Sequence, residues 1–291
     1  MISVIIPHKN SIHLLQRCIK SIPVSLDVET LVIDDNSSIS GEEWSVFKSN
    51  YPHIKLFLTK EGKGAGYARN VGLKHAKGEW ILFADADDFF YPDTFEYLKV
   101  YIKENDNDLT YFATNSRDGI TGEIIQDRLP RINDAIKQKK IDTLRYYSYV
   151  PWGKLIRHQL IIDNNIRFEE VEVSNDIMFS TLVGYYAKSI VIIDKYLYCC
   201  TKNNNSLVFN TTPERELIRN KAGIRVNNFL SEKGLIRYRV KTPLRTFFFF
   251  PKYPKFFLWS LFNSRYKGAL LLYIKDVCYW FIAKIINSFR H

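Results

Sequence analysis

Four times in its first 88 residues the chain writes a short apolar run, breaks it with polar or acidic residues, and changes period. The runs are Ile2 to Ile6, closed by Pro7; Thr30 to Ile33, halted by Asp34-Asp35; Ile54 to Leu58; and Trp80 to Ala84, which leads to Asp85-Ala86-Asp87-Asp88. Nearly unbroken runs rich in β-branched residues suit strands covered on both faces, as in a parallel sheet. After the first run, Leu14, Leu15, Cys18, Ile19 and Ile22 form one helical stripe that ends before Pro23. Helical stretches follow around Glu42 to Lys48 and through Arg69, Asn70, Leu73 and Ala76. This alternation predicts an α/β fold built on an open, mostly parallel sheet with flanking helices. Residues 151–206, with strands Ile190 to Ile193 and Tyr196 to Cys200, complete the same domain.

In such sheets ligands sit beyond the carboxyl ends of the strands. Pro7-His8, Asp34-Asp35 and Asp85-Ala86-Asp87 stand at those ends, so the strand ends converge on one acidic crevice. If the backbone stays extended past Ala84, Asp85 and Asp87 present their carboxylates on the same side. Two hard oxygens so placed suit Mg²⁺ or Mn²⁺ held against a diphosphate. The competing reading is a helix cap, a role open to Asp88 ahead of Pro92 and Asp93.

Ser3-Val4-Ile5-Ile6-Pro7, Val32-Ile33-Asp34-Asp35-Asn36-Ser37, Ala68-Arg69-Asn70 and Gly78-Glu79-Trp80-Ile81-Leu82-Phe83-Ala84-Asp85-Ala86-Asp87-Asp88 occur in order, followed by Trp152-Gly153-Lys154 and a block from Phe168 to Phe179. Together they resemble the inverting family 2 glycosyltransferases of the GT-A fold, of the bacterial surface-polysaccharide type, over residues 1–206. The resemblance implies a nucleoside-diphosphate sugar donor, a UDP-sugar first of all, a saccharide or lipid-linked acceptor, and Mn²⁺ or Mg²⁺ as cofactor. It assigns Asp35 to the nucleobase, Pro7 and His8 to the base pocket, and Arg69 to the base or phosphates. Asp85 would approach the ribose or the metal, and Asp87 would be the principal metal ligand.

A leaving diphosphate gathers negative charge as the glycosidic bond breaks, and a fixed cation stabilises it. Inversion also needs a base on the opposite face of the sugar to take the acceptor's hydroxyl proton. The family places an Asp there behind another acidic residue; here the segment reads Val173-Ser174-Asn175-Asp176-Ile177-Met178-Phe179. Asp176 is the candidate base and Asn175 is a departure. A neighbouring carboxylate would raise the base's pKa, so Asn175 leaves Asp176 less basic than its counterparts. Asp176 also reads as a helix N-cap, and Glu169, Glu170 and Glu172 are other acids close by.

Gly62-Lys63-Gly64-Ala65-Gly66 fits neither common phosphate-loop pattern and reads as a flexible loop with Lys63 as a donor contact. Trp152 is a candidate to stack on a sugar and Lys154 to pair with phosphate, against a packing role for the ring. The six histidines lack metal-ligand spacing, no G-x-S-x-G elbow is present, and the four cysteines predict reduced thiols without zinc. A nucleotidyltransferase is a rival reading, without a Gly-rich, Arg-containing loop after the first strand to support it. A non-catalytic module on the same fold is the other rival, with Asn175 in its favour.

Domains are expected at residues 1–212, the GT-A unit, and 213–291, a helical, basic and aromatic C-terminal extension. The latter holds 16 Lys and Arg against 4 Asp and Glu, so all the excess positive charge lies there. Phe247-Phe248-Phe249-Phe250, Phe256-Phe257-Leu258-Trp259 and Tyr279-Trp280-Phe281 are interleaved with basic residues, a composition that suits contact with a membrane surface. Its longest uncharged stretch, Phe256 to Ser264, is far below the ~20 residues a spanning helix needs. No nucleic-acid partner is expected. The opening residues lack a secretory leader pattern, which predicts a cytoplasmic protein, peripheral at the inner face of the cell membrane.

Overall fold

The computed structural model describes residues 1–202, 212–240, 254–265 and 278. It divides into two units, Met1–Phe209 and Asn210–His291.

The first unit is built on a nine-stranded sheet. Its strands are β1 (Ile2–His8), β2 (Val28–Asp35), β3 (Lys55–Thr59), β4 (Trp80–Phe83), β5 (Phe89–Phe90), β6 (Leu109–Asp118), β7 (Ile124–Ile125), β8 (Lys154–Arg157) and β9 (Ile190–Lys202). Every residue of β1, β2 and β4 is buried, which accounts for their lack of polar alternation. Ile2, Val4 and Ile6 enter one core and Ile5 the other, because successive side chains leave opposite faces of a strand. The first core is completed by α1 (Ile12–Lys20), α2 (Gly41–Asn50) and α4 (Thr94–Glu104) through Leu15, Trp44, Phe47 and Leu98. The second is covered by α3 (Ala65–His75), α5 (Pro130–Lys137), α6 (Ile141–Tyr147), α7 (His158–Asp163) and α8 (Ile177–Tyr186), through residues such as Ala68, Ile136, Leu144 and Phe179.

The strand order is β3-β2-β1-β4-β8-β6-β9-β5, with β7 paired to β6. The first four strands are parallel, as the repeated strand and helix pattern predicts. Beyond β4 the sheet is mixed: β8 runs antiparallel to both β4 and β6, β6 and β9 are parallel, and β5 is antiparallel to β9. β9 is also one strand where two were expected. The register moves from Phe112↔Ile193 to Ala113↔Tyr196, so the polar pair Asp194-Lys195 is taken up as a bulge.

Local chemistry fixes the helices that carry the site. Ser40 and Glu43 form a reciprocal capping box at the start of α2. α3 lies hard against the sheet at Gly72, where an added Cβ would sit 2.4 Å from Ile5 Cγ2. That approach sets the position of Arg69, one turn earlier on the same helix.

In the second unit α9 (Pro213–Glu232) starts with Pro213 in its first turn and Thr212 Oγ1 accepting the Arg215 N–H at 3.3 Å. Asn227 donates to Val240 O at 3.0 Å and accepts from its N–H at 2.7 Å, tying down the chain after a 3₁₀ turn at Ile236–Tyr238. Asn228 treats the end of α10 (Pro254–Asn263) the same way, donating to Asn263 O at 2.8 Å and accepting from Arg265 N at 2.9 Å. No helix among the described residues is long and apolar enough to cross a membrane. Phe247-Phe248-Phe249-Phe250 and Tyr279-Trp280-Phe281 lie outside the described residues, as do the side chains of Phe256 and Phe257.

Candidate active site

At the end of β1, His8 is 3% exposed and both ring nitrogens are engaged. Nε2 accepts the Ser11 N–H at 3.1 Å, which places the proton on Nδ1, 2.8 Å from Asp34 Oδ1. The ring meets Trp44 edge-on at 5.5 Å. His8 therefore shapes the β1 end beside Pro7 with its nitrogens committed to the protein. Asp34 also accepts from the Ser37 N–H at 2.9 Å and from the Ser37 hydroxyl. Burial opposes ionisation of Asp34, but the bonds from His8 and Ser37 prevail and hold its carboxyl below the usual range.

Asp35 points the other way, as the next residue of a strand must. Its carboxylate accepts the N–H groups of Lys63 at 3.1 Å and Gly64 at 2.6 Å. Gly62 at φ 62° and Gly64 at φ 90° supply the left-handed backbone this requires. The glycine-rich segment is thus a pinned loop, in place of the flexible one expected. Asp35 keeps acceptor capacity, since an ionised carboxylate has about four lone-pair sites. Lys63 is exposed on that loop, with Nζ 3.8 Å from Glu170 Oε2 and 5.1 Å from the Tyr67 ring.

The chain does not stay extended beyond β4. The Asp88 N–H bonds back to Asp85 O at 3.0 Å, so Asp85 to Asp88 form a tight turn, and strand alternation does not align the two candidate metal carboxylates. β9 and α1 hold this turn in place. Tyr198 Oη accepts the Asp85 N–H at 3.0 Å and donates to Asp88 Oδ2 at 2.6 Å, while the Thr201 N–H reaches Asp88 Oδ1 at 2.7 Å. Arg17 and the Thr201 hydroxyl both donate to Asp87 O. Asp88 is therefore an internal strut, and the helix cap weighed as a competing role for it falls instead at Asp93, which leads α4 without a side-chain cap bond. Burial, reinforced by Asp87 and Asp85, pushes the Asp88 carboxyl well above the usual carboxylate range.

Arg69 joins the two halves of the crevice. Nη2 lies 2.6 Å from Asp85 Oδ1 and Nη1 donates to Asn175 Oδ1 at 3.0 Å, with the guanidinium 5.3 Å from the Phe168 ring. Its Nε is buried without a hydrogen-bond partner among the described residues. Asp176 follows directly. It occupies the N-cap position of α8 but its side chain makes no cap bond, so the capping role is not what holds it there. Burial pushes its carboxyl up, Arg69 is the chief group pulling it back, Asp85 pushes further and Lys154 pulls weakly. Asp176, Arg69, Asp85 and Lys154 thus share one electrostatic neighbourhood.

Two expected ligand contacts are packing instead. Trp152 is 2% exposed and stacks on Tyr198 at 5.6 Å, so its ring is committed to the core rather than to a sugar. Lys154 is fully buried; Nζ donates to Ser148 O at 2.7 Å, to Ser180 Oγ at 3.2 Å and to Val150 O. Burial draws its amine down to about 7 against the opposing pull of Asp176. The residues missed by sequence reasoning are Arg17, Tyr198 and Thr201, which hold the aspartate turn. Arg128, whose Nη1 lies 3.3 Å from Cys200 Sγ, was missed as well. Each stands alone in the sequence; Tyr198 and Thr201 reach the crevice on β9, Arg17 on α1 and Arg128 from the segment between β7 and α5.

Asp85 and Asp87 fit a divalent cation in their donor chemistry. They are hard oxygen donors, and beside them the Asp88 carboxyl is pushed up by burial first and by the charges of Asp87 and Asp85 second, the part of that stress a cation would relieve. Among the described residues no three His, Cys, Asp or Glu side chains converge as a metal cage. A cation here would take its remaining ligands from diphosphate and water, the habit of Mg²⁺ in phosphate sites.

An open α/β sheet whose strand ends gather these aspartates and this arginine defines a protein of the GT-A class. Residues 3–163 match the family described as "Glycosyl transferase family 2", and the chain belongs to that family. It is 29% identical over 219 residues to the uncharacterized glycosyltransferase YibD of Escherichia coli (strain K12), covering 71% of this chain and 62% of that protein. It is 28% identical over 211 residues to the poly(ribitol-phosphate) beta-N-acetylglucosaminyltransferase TarP of Staphylococcus aureus (strain N315), covering 70% and 63%. The chain thus spans under two thirds of either relative. Among solved structures, S. aureus TarS 1-349 in complex with UDP-GlcNAc superposes with a TM-score of 0.67 at 22% identity, over 95% of this chain and 81% of that one, a likeness of fold.

Proposed function

We propose that this chain is an inverting glycosyltransferase that moves a sugar from a UDP-sugar to a saccharide or lipid-linked saccharide in surface-polysaccharide synthesis. The observation that carries the reading is the Arg69 bridge: one guanidinium links Asp85, at the end of a parallel strand, to Asn175, next to Asp176. It ties Asp85, which this reading turns toward the diphosphate, to the segment that carries Asp176, which it takes as the proton acceptor. The relatives' names and the UDP-GlcNAc bound to TarS support the choice of donor.

In this reading Asp35, Pro7 and His8 form the nucleobase end, with Lys63 at the rim. Asp85 and Asp87 would hold Mn²⁺ or Mg²⁺, which would supply positive charge to the departing diphosphate. Asp176 accepts the acceptor's hydroxyl proton as its oxygen bonds to the anomeric carbon; the bond from that carbon to the diphosphate oxygen breaks on the opposite face, and its electron pair leaves with UDP. Arg69 orients Asp85 and adds positive charge where the diphosphate lies. The basic, aromatic extension places the enzyme on the cytoplasmic membrane surface, where a lipid-linked acceptor is presented.

Calorimetric titration with UDP, with and without Mn²⁺, tests the donor site. Binding that Asp87→Ala weakens strongly is the expected result; no binding of UDP under either condition would sink the reading. Release of UDP rather than pyrophosphate separates glycosyl transfer from nucleotidyl transfer.

A further inference from the structure

Asn175 stands where the family pattern places an acid, and the structure gives that difference a physical role. Its Oδ1 accepts from Arg69 Nη1 at 3.0 Å, and Nδ2 reaches Val171 O at 3.4 Å. The side chain is 7% exposed and pressed against α3, because a Cβ on Gly66 would lie 2.9 Å from Asn175 Cβ and 2.1 Å from Glu169 O. Residue 175 therefore cannot swing away from Arg69 without lifting its loop from the helix. The other arm of the same guanidinium is on Asp85.

We propose that Asn175 is a positioning residue that sets the charge a nucleoside diphosphate meets: it holds Arg69 in place without adding an anion. The Arg69 and Asp85 pair then sums to zero. A carboxylate at 175 would put two anions on one guanidinium and make the site, Asp176 included, one unit more negative, facing a ligand that is itself multiply negative. At the few ångströms of a binding site and an effective dielectric of about 20, one such charge is enough to change affinity roughly ten-fold or more. A divalent cation would then have to offset what the protein no longer does. Asn175 thus lowers the dependence of donor binding on the cation.

This inference rests on the donor reading above, and UDP is the probe. Asn175→Asp changes charge with almost no change in volume, and Asn175→Ala removes the bond to Arg69 and adds no charge. Calorimetry of UDP in Mn²⁺ and in chelator should show Asn175→Asp losing ten-fold or more in chelator, with the gap from the unmodified protein narrowing in Mn²⁺. Asn175→Ala should lose affinity by a similar factor under both conditions, and it carries the test alone if Asn175→Asp does not fold. Equal affinities of Asn175→Asp and the unmodified protein in chelator overturn the inference, as does an Asn175→Ala that binds UDP undiminished. If the unmodified protein binds no UDP in either medium, the donor reading fails and this inference with it. UDP binding that ignores charge at 175 removes this inference alone.

Discussion

A carboxylate that takes a proton from an acceptor hydroxyl must itself be ionised, and Asp176 is buried enough that its carboxyl is pushed up despite Arg69. The acidic limb of the pH and rate profile should therefore fall at higher pH than an ordinary Asp would give: activity is lost as pH drops through the raised pKa. Asp176→Asn should keep UDP affinity within about two-fold and lower turnover by about a hundred-fold or more, since general-base catalysis contributes 10²–10⁴-fold. A variant with unchanged turnover would move the base to one of the nearby glutamates. Lys154 offers a second reading at this scale. Its pKa of about 7 in the folded chain lies below the ordinary lysine value of 10.5, so the unfolded chain binds more protons between those values. Its contribution to stability must then rise with pH over that window. Urea denaturation from pH 7 to 10 should show the unmodified protein gaining on Lys154→Met as pH rises; parallel curves would mean the amine is not held uncharged.

At the scale of elements, the seat of α3 on the sheet decides where Arg69 stands. Gly72→Ala should cost about 1–3 kcal/mol, the usual range for overpacking a close contact, because the new methyl meets Ile5 and Ile33 side chains within 3 Å. Urea denaturation measures it, and a neutral result would mean the helix can slide. Elements were also where the sequence was most readable. The unalternated runs of β1, β2 and β4 announced strands buried on both faces, and the acids after them marked the crevice. What the runs cannot encode is direction, so β8 entered antiparallel unannounced. Nor can a Pro-Trp-Gly-Lys sequence tell a ring facing a sugar from a ring facing Tyr198; that is decided by how β9 packs, some 45 residues later. The adjacent acids Asp34 and Asp35 likewise look alike until the strand turns one toward His8 and the other toward the glycine loop.

For the whole molecule, the asymmetry of charge is the feature the proposed chemistry leaves to be used. Residues 213–291 carry 16 Lys and Arg against 4 Asp and Glu, whereas the rest of the chain is slightly acidic. Each basic residue near an anionic leaflet contributes roughly 1 kcal/mol, and the attraction decays over a Debye length of about 8 Å at physiological ionic strength. Binding driven by charge alone must therefore vanish when salt is raised, while aromatic side chains at the interface give a component that salt does not remove. Flotation of the full chain with vesicles containing anionic lipid should recover protein with the vesicles at low salt and retain part of it at high salt. Neutral vesicles should recover little. Complete release by salt would reduce the extension to a general electrostatic surface. Recovery with no vesicle at any salt would remove the membrane from the proposed function and leave a soluble saccharide as the acceptor to pursue.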